Sequence, residues 1–96
     1  MILKTVEEIN SKFEKDFAET ESMLTRIQDL CNNDVITSRE RSVLAVSIQN
    51  RQQTLSEQRR SNLITAILCY DSSQNVQSLR QMYTTQLEKM LELLLA

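Results

Sequence analysis

The side chains of this sequence that can do chemistry are carboxylates, arginines and two cysteines, because histidine is absent. Without histidine the chain lacks the commonest general base and the commonest metal ligand. The carboxylates of the first third fall mostly opposite the apolar positions at helical spacing, which is typical of a solvated helix face. They are Glu7, Glu8, Glu14, Asp16, Glu19 and Glu21. With no nucleophile beside a base and no phosphate-binding glycine loop, we predict no catalytic residue, cofactor, metal site or small-molecule substrate.

The two cysteines, Cys31 and Cys69, stand alone without the Cys-x-x-Cys spacing of zinc or redox sites. We interpret them as buried thiols in a reducing compartment. No charged-then-apolar leader opens the chain, and no apolar run approaches the roughly 20 residues that cross a bilayer. A cytoplasmic location is therefore expected.

The adjacent pair Arg59 and Arg60 has a functional interpretation as a phosphate-binding patch. The net charge of −2, the pI near 5.1 and the lack of aromatic residues between the arginines disfavour nucleic acid as a partner. A small helical nucleic-acid-binding regulator is kept as a lesser alternative.

The elements that position these groups are predicted to be helices, because a chain with no glycine and no proline cannot easily build tight hairpin turns. Helix-start signals stand at Thr5-x-x-Glu8 and Thr37-x-x-Glu40, and more loosely at Asp71-x-x-Gln74. We predict one all-α domain over residues 1–96. It has three antiparallel helices at about 5–31, 38–70 and 72–95, arranged as a helical hairpin, bundle or coiled coil with a long middle helix.

The polar stretch Gln49–Asn62 decides between this arrangement and a four-helix bundle broken near Asn50. Apolar residues keep one phase on a helical wheel on both sides of the stretch, with Leu55 between them, which favours one continuous helix. Gln52 and Arg59 then occupy positions in the seam against helix 1. The matching stripe of helix 1 is Ile2, Val6, Ile9, Phe13, Phe17, Leu24, Ile27 and Cys31.

Charge differs between the helices. Residues 1–35 carry 4 basic and 8 acidic groups, whereas residues 36–70 carry 5 basic and 2 acidic groups. Antiparallel packing is expected to bring these opposite charges together. With the turn near Asp34, Arg59 is expected beside Glu8 and Arg51 near Asp16.

Surplus apolar surface is the main functional hint. On one straight third helix the apolar residues span an arc of roughly 220°, more than one neighbour can cover. Helix 2 also has a stripe on its back at both ends, formed by Val43 with Val46 and by Ile64 with Leu68. The residues predicted to bind a partner lie on helix 3: Met82, Tyr83, Leu87, Met90, Leu91, Leu94 and Leu95.

In its length, acidity and freedom from signature motifs, the chain resembles the small helical chaperones of bacterial type III and flagellar export systems. That resemblance implies a partner helix lying along the predicted surface of helix 3. We therefore expect a non-catalytic protein–protein interaction module, an adaptor or chaperone. The alternative is a self-associating structural subunit, in which the same surplus closes a homo-oligomer.

Overall fold

The computed structural model describes residues 4–96, and its regular elements are all helices. They are α1 (Val6–Asn32), α2 (Ser38–Tyr70), α3 (Val76–Gln81) and α4 (Thr84–Leu95). The predicted all-α fold with a long middle helix is confirmed. Ile2, the first member of the predicted stripe of helix 1, lies outside the described residues.

The middle helix is continuous from Ser38 to Tyr70, so the alternative break near Asn50 is wrong. It begins with the predicted capping box: the Glu40 amide donates to Thr37 Oγ1 at 3.1 Å, and the Thr37 amide donates to the Glu40 carboxylate at 3.1 Å. In the polar stretch, Leu55 is buried against α1. An in-phase apolar residue every few turns, with good helix formers between, is sufficient to keep this polar stretch helical.

The turn between α1 and α2 closes as a Schellman motif. The Val35 amide donates to the Leu30 carbonyl at 2.9 Å, and the Asp34 amide donates to the Cys31 carbonyl at 3.1 Å. This geometry places Asp34 in the left-handed region, at φ 57°. Glycine usually takes that position because a Cβ is unfavourable there, and this chain has no glycine.

The register of α1 against α2 is fixed by two contacts across the seam. Gln52 Nε2 donates to Thr20 Oγ1 at 2.9 Å, and the Arg59 guanidinium lies 4.8 Å from the centre of the Phe13 ring. The expected pairing of Arg59 with Glu8 is therefore wrong, because Arg59 lies beside Phe13, more than one turn further along α1.

The opposite net charges of α1 and α2 predicted ion pairs between these helices, and the ion pairs of the described residues lie elsewhere. Within residues 4–96 the two ion pairs are Lys12 with Asp16, at 3.3 Å inside α1, and Arg59 with Glu88 of α4. Arg51 forms no ion pair with Asp16, whose carboxylate pairs with Lys12 instead. The charges of the two long helices mostly face solvent, where pairing contributes little.

The third predicted helix, 72–95, is two helices. Asp71 does not cap a helix start: it ends α2, and its carboxylate accepts hydrogen bonds from the Ser73 amide, the Ser73 hydroxyl and the Gln74 side chain. The hydrogen bond from the Ser73 hydroxyl is the main cause that holds the pKa of Asp71 below its usual value. Asn75 caps α3 instead, by accepting from the Gln77 and Ser78 amides.

Met82 and Tyr83 interrupt the helical path between α3 and α4, and both have extended backbone angles. The Gln86 side chain accepts a hydrogen bond from the Tyr83 amide at 2.9 Å, which satisfies one donor at the start of α4. Two β-branched residues, Thr84 and Thr85, follow and are weak helix formers. The chain can therefore change direction here without glycine or proline.

After this break α4 packs onto one end of the α1–α2 hairpin. It begins where Arg60 approaches Thr84 and ends where Leu95 lies near Val6. The core is formed at this end by Ile9, Leu63, Ala66, Ile67, Leu79, Leu87 and Leu91. The described chain measures 56 × 23 × 21 Å, so this core occupies only part of an elongated molecule.

Replacement of Asp34 by glycine is expected to raise the free energy of unfolding by about 0.5–1 kcal/mol. The gain from relieving the left-handed strain exceeds the added flexibility of the unfolded chain. For a domain of this size the melting temperature rises by a few degrees. Asp34→Ala is the control, because it keeps the Cβ. An equal rise in Asp34→Ala would show that the strain is not the cause.

The buried polar contact of the seam predicts a second effect on stability. Thr20→Val alone removes the acceptor of Gln52 and is expected to cost about 1 kcal/mol. Joining it to Gln52→Leu replaces both partners by apolar groups and recovers that loss or more. Urea unfolding of both single variants and the double variant measures this. A double variant as unstable as the sum of the single ones would contradict the coupling.

Candidate partner-binding surface

The residues predicted to bind a partner divide into buried and exposed sets. Leu87 and Leu91 have exposed fractions of 0%, so their assignment to an outer surface is corrected: both lie in the core. Tyr83 and Leu95 are exposed, at 76% and 41%. The other three pack against the core as partly buried side chains: Met82, Met90 and Leu94.

The break at Met82 and Tyr83 explains why the predicted surplus is largely absorbed. A single straight helix with an apolar arc of roughly 220° cannot bury that arc on one neighbour. Two short helices that differ in direction can each turn their own apolar sector inward. Leu79 of α3 and Leu87 of α4 both reach the core in this way.

An ion pair between Arg59 and Glu88 holds α4 against α2. Arg59 of α2 pairs with Glu88 of α4 and lies over the Phe13 ring of α1, so one side chain touches both neighbouring helices. The side chains of Arg59 and Glu88 are 26% and 21% exposed. Arg60 adds hydrogen bonds to Thr84 Oγ1 at 3.4 Å and to the Arg80 carbonyl at 2.9 Å. The two adjacent arginines therefore bind elements of this chain, which leaves less of their charge for phosphate.

The other half of the hairpin lacks a covering helix. At about 1.5 Å per residue, α4 is about 18 Å long and α2 about 50 Å, so α4 cannot reach the turn. Large apolar side chains are correspondingly exposed in the half near the turn: Met23, Val35, Val43, Leu44 and Val46. Five of the ten large apolar side chains exposed among residues 4–96 therefore lie in this half.

Three residues of α2 form what we call the tip patch: Val43, Leu44 and Val46. Their exposed fractions are 66%, 43% and 55%. Successive residues point about 100° apart, so the run from Val43 to Val46 surrounds the helix axis. A helix that is apolar all round is normally buried. Here α1 covers only one side of it.

The back stripe of α2 is covered by other helices at one end and exposed at the other. At the core end, Ile64 and Leu68 belong to this stripe and pack as partly buried side chains. At the other end, Val43 and Val46 belong to the same stripe and remain exposed. The two ends have similar residues and differ in whether α3 and α4 reach them.

Arginines border the tip patch. Arg39 lies one turn before Val43, and Arg51 lies two turns after Leu44. Neither forms an ion pair with another described residue. An open cavity of about 420 Å³ lies at the start of α2, lined by Arg39, Glu40, Val43 and Leu44. The patch therefore combines apolar side chains with an unpaired positive border.

Other candidate chemistry is sparse in the part of the chain that the structure describes. Cys69 is exposed, which corrects the expectation that both thiols are buried, and Cys31 is partly buried with its Sγ 3.9 Å from Ser38 Oγ. Among residues 4–96 no group of three or more histidines, cysteines or carboxylates is placed to hold a metal ion. None of the helices described has the length and apolar character needed to cross a membrane.

Comparisons of this chain with protein-family models, curated proteins and solved structures found no match. From the sequence alone, the exposed residues of the tip patch received less weight than those of helix 3. The signal was present in the back stripe of Val43 and Val46, but the wider apolar arc of helix 3 appeared stronger.

Glutamate substitutions at a buried and at an exposed leucine of α4 are expected to differ strongly in their effect on stability. Leu91→Glu places a carboxylate in the core and is expected to cost about 4 kcal/mol or more, enough to unfold much of the protein. Leu93 is 77% exposed, so Leu93→Glu is expected to change stability by about 0.5 kcal/mol or less. Circular dichroism during thermal unfolding measures both. A folded Leu91→Glu variant of wild-type stability would contradict this core.

Proposed function

We propose that this protein is a non-catalytic helical interaction module, an adaptor or chaperone, that binds another protein through the tip patch. The observation that supports this proposal most is the run of apolar residues around α2, from Val43 to Val46, with α1 on one side only. Contiguous apolar surface rimmed by polar residues is a common mark of a binding site. Polar and charged residues border it, as they border protein-binding sites.

The exposed apolar residues of α4 give weaker support to a second surface. Leu93 and Leu95 are two positions apart and point about 200° away from each other, so they do not share one face. Tyr83 stands alone at the start of the helix. Singly exposed apolar residues are normal on a protein surface. The proposal therefore moves the binding surface from α4 to the tip of the hairpin.

The alternative of a self-associating structural subunit uses the same tip patch with a second copy as occupant. The exposed apolar residues support this alternative equally well, since an apolar surface of a second copy could also cover the patch. Its weakness is charge, because two copies that meet through α2 bring their arginines together.

Photo-crosslinking from the patch tests the proposal. A benzoylphenylalanine is placed at Leu44, and the protein is crosslinked in its native cells. The expected product contains this 11.2 kDa chain joined to a different protein. The same group in place of Leu93 is the matched control, because that position is exposed but lies on α4.

Crosslinks from position 93 and none from position 44 would contradict the proposed surface. A product of twice the chain mass, containing this chain alone, would favour the self-associating subunit. No product from either position would contradict an interaction through either surface in those cells.

A further inference from the structure

We infer that the partner segment recognised by the tip patch is an acidic amphipathic helix of another protein. This inference rests on the proposed function and adds the chemistry of the occupant. It follows from the charge at the border of the patch, from the shape of the exposed α2 surface and from the lack of a complementary surface on the described part of a second copy.

On α2 the border of the patch is positive. Between positions 39 and 51 the chain has three arginines and one glutamate. The carboxylate of that glutamate, Glu40, accepts a hydrogen bond from the Thr37 amide within the capping box. Arg39, Arg41 and Arg51 form no ion pair with any residue in the range 4–96. A ligand with carboxylates at its edges would meet donors that nothing else in the described chain occupies.

The arginines lie on the sides where the patch is open. At about 100° per residue, Arg39 shares the side of Val43 and Val46, whereas Arg51 shares the side of Leu44. A helix that packs on either side of α2 therefore has a guanidinium at its edge. This arrangement matches apolar positions in the centre of a partner helix with acidic positions along its flanks.

A second copy of this chain is a poor occupant. Its own tip patch is apolar, but it would bring its own arginines to the border, and like charges oppose such a contact. Its α1 is acidic, but Met23 is the one large apolar residue exposed on α1 as described. Its α4 exposes Leu93 and Leu95 on different sides. No surface of the described chain combines a broad apolar stripe with negative flanks.

The size of the surface limits the strength of binding. From Arg39 to Arg51 the helix rises about 18 Å, which accommodates about three turns of a partner helix. A contact of this length is smaller than the roughly 800 Å² per partner of a standard interface. We expect micromolar affinity for a single helix, with the charges contributing mainly to selectivity.

A pair of synthetic peptides tests the inference on the full-length protein. Each is a stapled helix of about 18 residues with leucines at positions i, i+3, i+4 and i+7. One carries glutamate along both flanks, and the other carries lysine at the same positions. Fluorescence anisotropy at low salt is expected to show about tenfold tighter binding of the glutamate peptide.

Charge reversal at the border is the decisive comparison. Arg39→Glu with Arg51→Glu is expected to reverse the preference, so that the lysine peptide binds more tightly. The matched control is Lys15→Glu with Lys89→Glu, which makes the same change in net charge at exposed positions away from the patch. The control is expected to retain the preference for the glutamate peptide.

Removal of the apolar contact is the second comparison. Val43→Ser with Leu44→Ser is expected to weaken the binding of both peptides about tenfold or more while the helical circular dichroism signal persists, because both side chains are substantially exposed. Equal affinity for both peptides, a preference for lysine, no binding, or an equal effect of the control reversal would each overturn the inference.

Light scattering after size-exclusion chromatography identifies the remaining alternative. A wild-type dimer that Val43→Ser with Leu44→Ser converts to monomer would make a second copy the occupant and overturn the inference. A photo-crosslink from position 44 to a different protein, combined with no preference for the glutamate peptide, would overturn only the chemistry proposed here. The proposed function would then still hold.

Discussion

A difference in length between the two long helices and the elements that cover them determines where this protein has a core and where it has an open surface. The two long helices have 27 and 33 residues, whereas α3 and α4 have 6 and 12. Apolar burial is the dominant favourable term in folding, and it needs at least two layers of packed elements. Only one end of the hairpin has the additional covering elements. The other end retains an apolar helix with a single neighbour.

Polar contacts in the seam specify how these elements meet. Thr20 is fully buried and accepts a hydrogen bond from Gln52 across the seam, so a shift of the hairpin register would break this bond and leave the Gln52 amide without its partner. Arg59 has a similar role between three helices, since it touches Phe13 and pairs with Glu88. Each of these contacts contributes about 1 kcal/mol. Their main effect is to select one alignment from several that would bury similar apolar area.

The sequence was sufficient to predict the long helices because their signals are local and repeated. The capping box at Thr37 and Glu40 and the in-phase residue Leu55 each depend on neighbours a few positions away. The predicted bounds of 38–70 for the middle helix agree with the structure. The position of Arg59 along α1 was not predictable in the same way, because the register depends on the turn geometry around Asp34 and on contacts between residues far apart in the sequence.

The break at Met82 and Tyr83 shows why two residues of the predicted surface, Leu87 and Leu91, lie in the core. No glycine or proline marks it, and the apolar pattern continues through it, so periodicity indicates one helix where there are two. Leu87 and Leu91 were therefore assigned to a partner, although they complete the core. Most of the surplus predicted for a straight helix 3 is buried by this change of direction, whereas Tyr83, Leu93 and Leu95 remain exposed. The back stripe at Val43 and Val46 could be recognised as open only once it was known which part of the hairpin α4 covers.

The open end also explains the placement of the arginines. An apolar run with high β-propensity, such as Val43 to Ile48, promotes aggregation when it is exposed, and flanking charges suppress this. Arg39 precedes this run and Arg51 follows it, so they can oppose contacts between like copies, and the acidic ligand that we propose would be attracted by the same charges. A two-helix segment is also the part of the fold with the lowest expected local stability. A third helix bound there would bury the patch and raise that stability, so that binding and local folding would be coupled.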